Sequence, residues 1–366
     1  MRFDPKPIQD EIRRQISEGL RPGMHVAVDF RGEIALDERA GVADADTGAP
    51  VTEWTLFSIY SAVKPVVALA IHQLVDRGKL QYHDKVVKFI PEFGKHGKEK
   101  VTLLHVLTHR GGFPDTIRGG PDSVLANMEN YGRVLEIIYE TPLAWEPGEA
   151  RGYHGLSGWY ILGELVHRIT GKNLDQYVRE ELALPCGASR FYFTVPDEEI
   201  PNVCPLVDLS RNRDQSVWNN PKMLKALVPG GGGRTSASEL VKFFRLMLDG
   251  GAAKSGERIL SEEIIRRAVF PHVAGTRDRI LGNDVPWGLG FQLKDATKNP
   301  GFFGSLATPG TYGHMGHFGV ATAFADPGRN LAVAVLTNGL INASEGVLAL
   351  SRIADAVFRQ ADAAAN

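Results

Sequence analysis

The sequence predicts an α+β fold, an antiparallel sheet flanked by helices with a mostly helical region inserted into it. Three observations carry that expectation. His25-Val26-Ala27-Val28-Asp29-Phe30, Arg31-Gly32-Glu33 and Ile34-Ala35-Leu36 read as strand, turn and strand, because alternating apolar positions flank a glycine-bearing turn. Ala321 to Ala325, Asp326-Pro327-Gly328-Arg329-Asn330 and Leu331 to Leu336 repeat the design near the other end. Residues from about 87 to about 228 are mostly helical or irregular, with turn clusters at Arg110-Gly111-Gly112 and Arg118-Gly119-Gly120-Pro121. Residues 1–86 and 229–366 are therefore expected to share a sheet domain and residues 87–228 to form a helical one, with the active site between them.

After the first hairpin, Phe57-Ser58-Ile59-Tyr60 reads as a short extended run, and a helix is expected to start at Ser61. It carries Pro65 in or just beyond its first turn, where few backbone hydrogen bonds are lost, continues through the apolar run Val66 to Val75, and stops near Gly78. Ser61-Ala62-Val63-Lys64 places a hydroxyl and an amine three residues apart on one helix face, the ingredients of a nucleophile and its base. Ser-x-x-Lys is short and equally describes a helix cap beside a surface lysine, so its weight comes from its position. N–H groups at the start of the helix also suit an oxygen that passes through an anionic state.

Further along, Pro229-Gly230-Gly231-Gly232-Gly233 reads as a close-packed turn, since no Gly-Lys-Ser/Thr ending follows to make it a phosphate loop. Glu345 to Ala364, with Val347, Leu350, Ile353 and Val357 at helical spacing, is expected to pack on the sheet beside the Ser61 helix.

The 366 residues carry a net charge of −2, which gives no electrostatic reason to expect nucleic acid. Met1 to Pro22 lacks an apolar signal core and no stretch is long enough to span a bilayer, so cytoplasmic residence without a membrane partner is expected. Cys186 and Cys204 form no C-x-x-C pair and read as idle thiols. His105 and His109 have the i, i+4 spacing of a helical zinc site, but Val106 stands where such a helix carries glutamate and no third ligand cluster offers itself. No metal and no cofactor is expected. His25, His72, His83, His96, His167 and His272 read as solvated, and Lys95-His96-Gly97-Lys98-Glu99-Lys100 as an exposed loop.

Three pieces, in order, resemble the serine β-lactamase and penicillin-binding-protein superfamily, most of all its class C β-lactamase and related esterase branch. They are Ser61-Ala62-Val63-Lys64, then Gly152-Tyr153-His154-Gly155 with the run to Gly163, similar to the family's Tyr-x-Asn element and following helix, then Tyr312-Gly313-His314-Met315-Gly316-His317-Phe318-Gly319, which falls where the family keeps Lys-Thr-Gly or His-x-Gly on a sheet edge. Leu107 to Pro114, Glu146-Pro147-Gly148, Ile169 to Lys172, Pro229 to Ser236 and Trp287 to Phe291 match as well.

The resemblance implies an acyl-enzyme route. Ser61 attacks a carbonyl, Lys64 helps remove its proton, and Tyr153 serves as general base or proton shuttle, with the order of Lys64 and Tyr153 left open. The oxyanion sits between the backbone N–H groups of Ser61 and His317. His314, Gly316, His154, Tyr312, Trp287 and Phe113 are the expected substrate-binding residues, Trp218 and Phe318 further candidates for an apolar wall, and His154 and His317 candidates for extra proton transfer. Two departures bear on substrate: Gly155 replaces the asparagine, and His314 stands where β-lactamases carry a carboxylate-holding lysine. Both favour small ester or amide substrates over β-lactams. The expected protein is thus a carboxylesterase-type serine hydrolase whose partner is a small-molecule acyl substrate. An acyltransferase using the same acyl-enzyme, a β-lactamase or D-amino-acid peptidase, and a non-catalytic binding protein of the same fold are the alternatives. Oligomeric state is not expressed in the sequence.

Overall fold

The two terminal hairpins meet at the centre of one sheet. In the computed structural model, which describes residues 2–115, 120–209, 216–294 and 302–365, β1 (Gly23–Phe30) pairs antiparallel with β2 (Glu33–Asp44) on one side. Arg118 and Gly119 of the expected turn cluster lie outside those residues. The short strands β3 (Ala49–Pro50), β4 (Phe57–Ser58), β5 (Val207–Asp208) and β6 (Arg234–Thr235) follow, then β7 (Gln292–Leu293), β8 (Tyr312–Met315), β9 (Ala321–Asp326), β10 (Leu331–Thr337) and β11 (Gly339–Leu340). The other side of β1 pairs antiparallel with β10, Val26 opposite Val335 and Ala27 opposite Ala334. The seven-stranded order is β3-β2-β1-β10-β9-β8-β7.

Eleven α-helices among the described residues, with short 3₁₀ and π turns between them, complete the chain: α1 (Lys6–Ser17), α2 (Lys64–Asp76), α3 (Leu103–Leu107), α4 (Tyr131–Glu140), α5 (Ser157–Thr170), α6 (Leu174–Val178), α7 (Ser216–Asn219), α8 (Pro221–Lys225), α9 (Ala237–Leu248), α10 (Glu262–Val269) and α11 (Ala343–Ala365). Of these, α3 to α8 fall within residues 87–228. None of the described helices is long and apolar enough to cross a membrane.

The period-2 geometry of the strands sorts the core into two layers. Ala27, Ala323, Ala325, Ala332, Ala334 and Leu336 face one way and join the cluster that holds α2, α5 and α9. Val26, Val28, Phe324, Leu331, Val333 and Val335 face the other way, onto Ile8 and Ile12 of α1 and Leu350, Ile353 and Val357 of α11. The C-terminal helix therefore packs on the sheet as expected, but on the face opposite the Ser61 helix. Bulky branched residues on that face need a cover, and the alanine face leaves close-packing room for α9.

Burial overturns part of the histidine reading. His72 has no exposed surface, because α2 is apolar nearly all round. Its Nδ1 lies 2.8 Å from the Tyr82 hydroxyl and its Nε2 2.9 Å from the Leu289 carbonyl. Burial lowers its pKa to about 4, so it stays neutral. His25 is equally enclosed, its Nδ1 accepting from the Ala237 N–H at 3.2 Å and its Nε2 facing Asp37 at 2.6 Å. Lys98 of the expected exposed loop is buried too, donating to the Thr141 carbonyl. Cys186 and Cys204 are free thiols.

Enlarging the alanine face tests the layer assignment: Ala334→Leu should destabilise the fold by about 1–3 kcal/mol through overpacking, measured as a lower denaturant midpoint at unchanged slope.

Candidate active site

Ser61 is delivered by a pair of short strands. β4 pairs with β6, and the Ile59 N–H donates to the Gly233 carbonyl at 3.0 Å; the expected extended run ends at Ser58, since Ile59 has already left the extended region (φ −100°, ψ −5°), and Tyr60 completes the turn. Tyr60 does so with φ +46°, a left-handed conformation that costs a side-chain-bearing residue about 1–3 kcal/mol. Ser61 then lies in a single 3₁₀ turn, Tyr60–Val63, and the α-helix proper begins at Lys64 with Pro65 in its first turn. The expected helix start at Ser61 is thus three residues early. The tighter turn still brings Lys64 back onto its own serine.

Three groups meet at that serine. Lys64 Nζ lies 2.8 Å from Ser61 Oγ, and the Tyr153 hydroxyl donates to the same oxygen at 2.9 Å. Lys64 Nζ also donates to the Gly230 carbonyl at 2.6 Å and lies 5.3 Å from the ring centres of both Tyr153 and Trp159. The lysine has no exposed surface, whereas Ser61 and Tyr153 are half-buried and open to a visitor. Burial lowers the Lys64 amine to about 7, against an opposing pull from Asp115. Burial also holds the Tyr153 phenol well above its ordinary range, although its hydrogen bond to Ser61 acts the other way.

Tyr153 is fixed from behind. Its N–H donates to Asp278 Oδ1 at 3.1 Å, and its ring stacks on Trp287 with centroids 5.8 Å apart. His109, at φ +57°, packs 4.8 Å from the Tyr153 ring and accepts the His154 N–H on Nδ1 at 3.1 Å. His105 instead closes a capping box with Thr102 at the start of α3. The two histidines at zinc spacing thus do separate jobs, and no group of three or more metal-ligating side chains occurs among the described residues.

The sheet edge arrives on the other side. Gly316 follows β8, and a Cβ there would stand 2.7 Å from the Ile59 carbonyl and 3.1 Å from Ala321 Cβ. That glycine lets the end of the strand close on the Tyr60 turn. The exposed His317 ring consequently lies 5.4 Å from the Tyr60 ring, and Tyr60 packs edge-on to Trp218 at 4.7 Å. His314 is buried, its Nδ1 2.8 Å from the Met315 carbonyl. Burial and then the neighbouring Lys64 keep it well below the usual histidine range, so it presents no cation.

The expected substrate contacts separate accordingly. Gly316 and His317 border the Tyr60 turn, while His314 and Trp287 back Tyr153 with rings 6.3 and 5.8 Å away. Phe113, His154 and Tyr312 are packed among other rings, each at most 2% exposed. Phe113 lies against Phe93 and His154, the His154 Nε2 accepts the Phe113 N–H at 3.0 Å, and Tyr312 lies against Phe291. Sequence reasoning missed Asp115, Asp278 and the Gly230 carbonyl. Single carboxylates and a backbone oxygen carry no spacing by which to find them.

The family model described as Beta-lactamase matches residues 8–358. The chain belongs to the β-lactamase family. It is a serine hydrolase of that family, and its antiparallel sheet and helices are shared with solved relatives. A penicillin-binding protein homologue from Caulobacter crescentus superposes with a TM-score of 0.86 at 25% identity, covering 98% of this chain and 97% of its own. A family VIII carboxylesterase superposes with a TM-score of 0.84 at 26% identity, covering 97% of each chain. By sequence, this β-lactamase-family chain is 27% identical to a protein of Escherichia coli K12 provisionally named a D-alanyl-D-alanine carboxypeptidase, over 89% of this chain and 80% of that one.

Gly316→Ala should push the strand end off the Ile59 carbonyl. Because displacements on the order of 1 Å can lower rates about a hundredfold, turnover of a chromogenic ester should fall at least about tenfold, with the folded protein intact by circular dichroism.

Proposed function

We propose that this serine hydrolase is a carboxylesterase of small acyl esters that works through an acyl-enzyme on Ser61. The observation that carries the reading is the bracketing of Ser61 Oγ by the Lys64 amine at 2.8 Å and the Tyr153 hydroxyl at 2.9 Å. With its amine lowered to about 7, Lys64 spends much of its time neutral near pH 7 and has a lone pair for the Ser61 proton. Tyr153, held above its ordinary range, keeps its proton and acts as the acid. Lys64 is therefore the first base.

Oγ attacks the ester carbonyl as its proton passes to Lys64 Nζ. Negative charge moves to the former carbonyl oxygen, which the backbone N–H groups of Ser61 and His317 receive, each such donor contributing about 2.7–4 kcal/mol in comparable sites. Collapse breaks the bond to the alkoxide, which takes the Tyr153 proton, and the Lys64 ammonium restores it. Water then attacks the acyl-serine by the same relay, releasing the acid and regenerating Ser61.

Esters are favoured over peptides ending in a carboxylate because His314, on β8, is uncharged and its Nδ1 is taken by the Met315 carbonyl. Nothing on that strand offers a substrate carboxylate a positive partner. kcat/KM for p-nitrophenyl butyrate should accordingly exceed that for a D-alanyl-D-alanine peptide by at least about a hundredfold, the scale on which unmatched polar groups are rejected.

Intact mass after rapid quenching with p-nitrophenyl butyrate should reveal an acyl adduct on the wild type and none on Ser61→Ala. No adduct together with p-nitrophenol release no faster than Ser61→Ala would sink the proposal. Tyr153→Phe should lower kcat by about 10²–10⁴, the usual contribution of a positioned acid. The base works deprotonated, so kcat/KM should rise with pH through about 7 and fall away below it.

A further inference from the structure

Gly155 sits in the loop between Tyr153 and α5 and has no positive φ, so its backbone does not demand glycine. Its surroundings do. A Cβ at 155 would stand 2.9 Å from Asp115 Oδ2 and 3.7 Å from Tyr153 Cε1, so the Asp115 carboxylate lies across the glycine from the Tyr153 ring. A Cβ on Gly230, whose carbonyl holds Lys64, would in turn stand 2.7 Å from the Gly155 carbonyl. Asp115, Gly155 and Gly230 form a continuous backing to Lys64 and Tyr153.

Asp115 is anchored there. Its Oδ2 accepts the Leu156 N–H at 2.7 Å and its Oδ1 the Ser157 N–H at 2.5 Å, at the amino end of α5 where negative charge is favoured. The other groups facing Lys64 are the Ser61 and Tyr153 hydroxyls, the Gly230 carbonyl, the Trp159 ring and the imidazoles of His109 and His314. Burial holds both imidazoles well below the usual histidine range, which leaves them uncharged. Asp278 accepts the Tyr153 backbone N–H. Among the described residues, Asp115 is thus the carboxylate set against Lys64. Its own carboxyl is drawn upward by burial, and the Leu156 and Ser157 N–H groups and Lys64 draw it back.

We propose that Asp115 is a positioning residue of the Ser61 site: its carboxylate fills the side-chain space that Gly155 leaves open, braces the Tyr153 loop, and sets the charge state of Lys64 from behind. The inference rests on Lys64 acting as the base at Ser61. Asp115 touches neither substrate nor Ser61, and acts through the amine and the phenol.

The test is the pH profile of kcat/KM for p-nitrophenyl butyrate, measured on wild type and Asp115→Asn alongside melting temperature and the quenched Ser61 adduct. A nearby carboxylate favours the ammonium, so removing its charge should move the acidic midpoint down by about one pH unit. A plateau about tenfold lower is also expected, from the loosened Tyr153 loop. A residue that merely capped α5 would lower the melting temperature and leave the midpoint in place, and an unmoved or raised midpoint overturns the proposal.

Asp115→Ala/Gly155→Asn places a neutral amide in the same space and covers the case in which Asp115→Asn does not fold. It should fold, with its midpoint below that of the wild type. Failure to fold, or an unmoved midpoint, overturns the inference. A wild type without a Ser61 adduct and without ester turnover above Ser61→Ala would instead remove the esterase reading beneath it.

Discussion

An amine that ordinarily carries a proton at neutral pH sits beneath Ser61 with no exposed surface, and two aromatic rings and one carbonyl stand where its water would be. Desolvation disfavours the ammonium, and in the proposed mechanism that one effect is what frees the amine to act as a base. The surroundings follow from it. Gly230 must come close enough to lend a carbonyl, and a side chain there would meet the Gly155 carbonyl at 2.7 Å. Tyr153 and Trp159 must bring their rings close to the amine. Asp115, on the proposal above, opposes the burial by favouring the charged form.

Keeping those pieces in place strains the backbone locally. Six side-chain-bearing residues among those described have positive φ, and three of them, Tyr60, His109 and Phe318, adjoin Ser61, Tyr153 and His317. Each would relax in isolation. They persist because the sheet, α2 and the loop preceding α5 hold them from several directions at once, as strained residues at functional sites generally require. Rigidity around the serine is therefore supplied by layers of core that never meet a substrate.

Much of this was legible in advance. Period-2 alternation in His25 to Leu36 and Ala321 to Leu336 located the central hairpins, because each alternate residue must choose a layer. Ser61, Lys64 and Tyr153 stood out through reactive chemistry at short spacing or in a recognisable order. The layer chosen by α11 was not legible, since helical periodicity says that a face is buried and not against which side of a sheet. His25 and His72 were misread for a related reason: a histidine's type does not reveal whether carbonyls and hydroxyls wait to satisfy it. Asp115 escaped notice because its importance lies in the empty volume at Gly155, and a missing side chain advertises no occupant.

The pairing of β1 with β10 joins residues from nearly opposite ends of the chain, Met24 beside Thr337. During synthesis the apolar α2 leaves the ribosome long before the strands that complete its sheet exist. Contacts of such long range form late and slowly. The strands that complete the sheet over α2 therefore become available only after most of the chain has been made. A ribosome that stalls before β9 leaves a chain with Ser61 and Lys64 already made and no completed sheet to hold the site together.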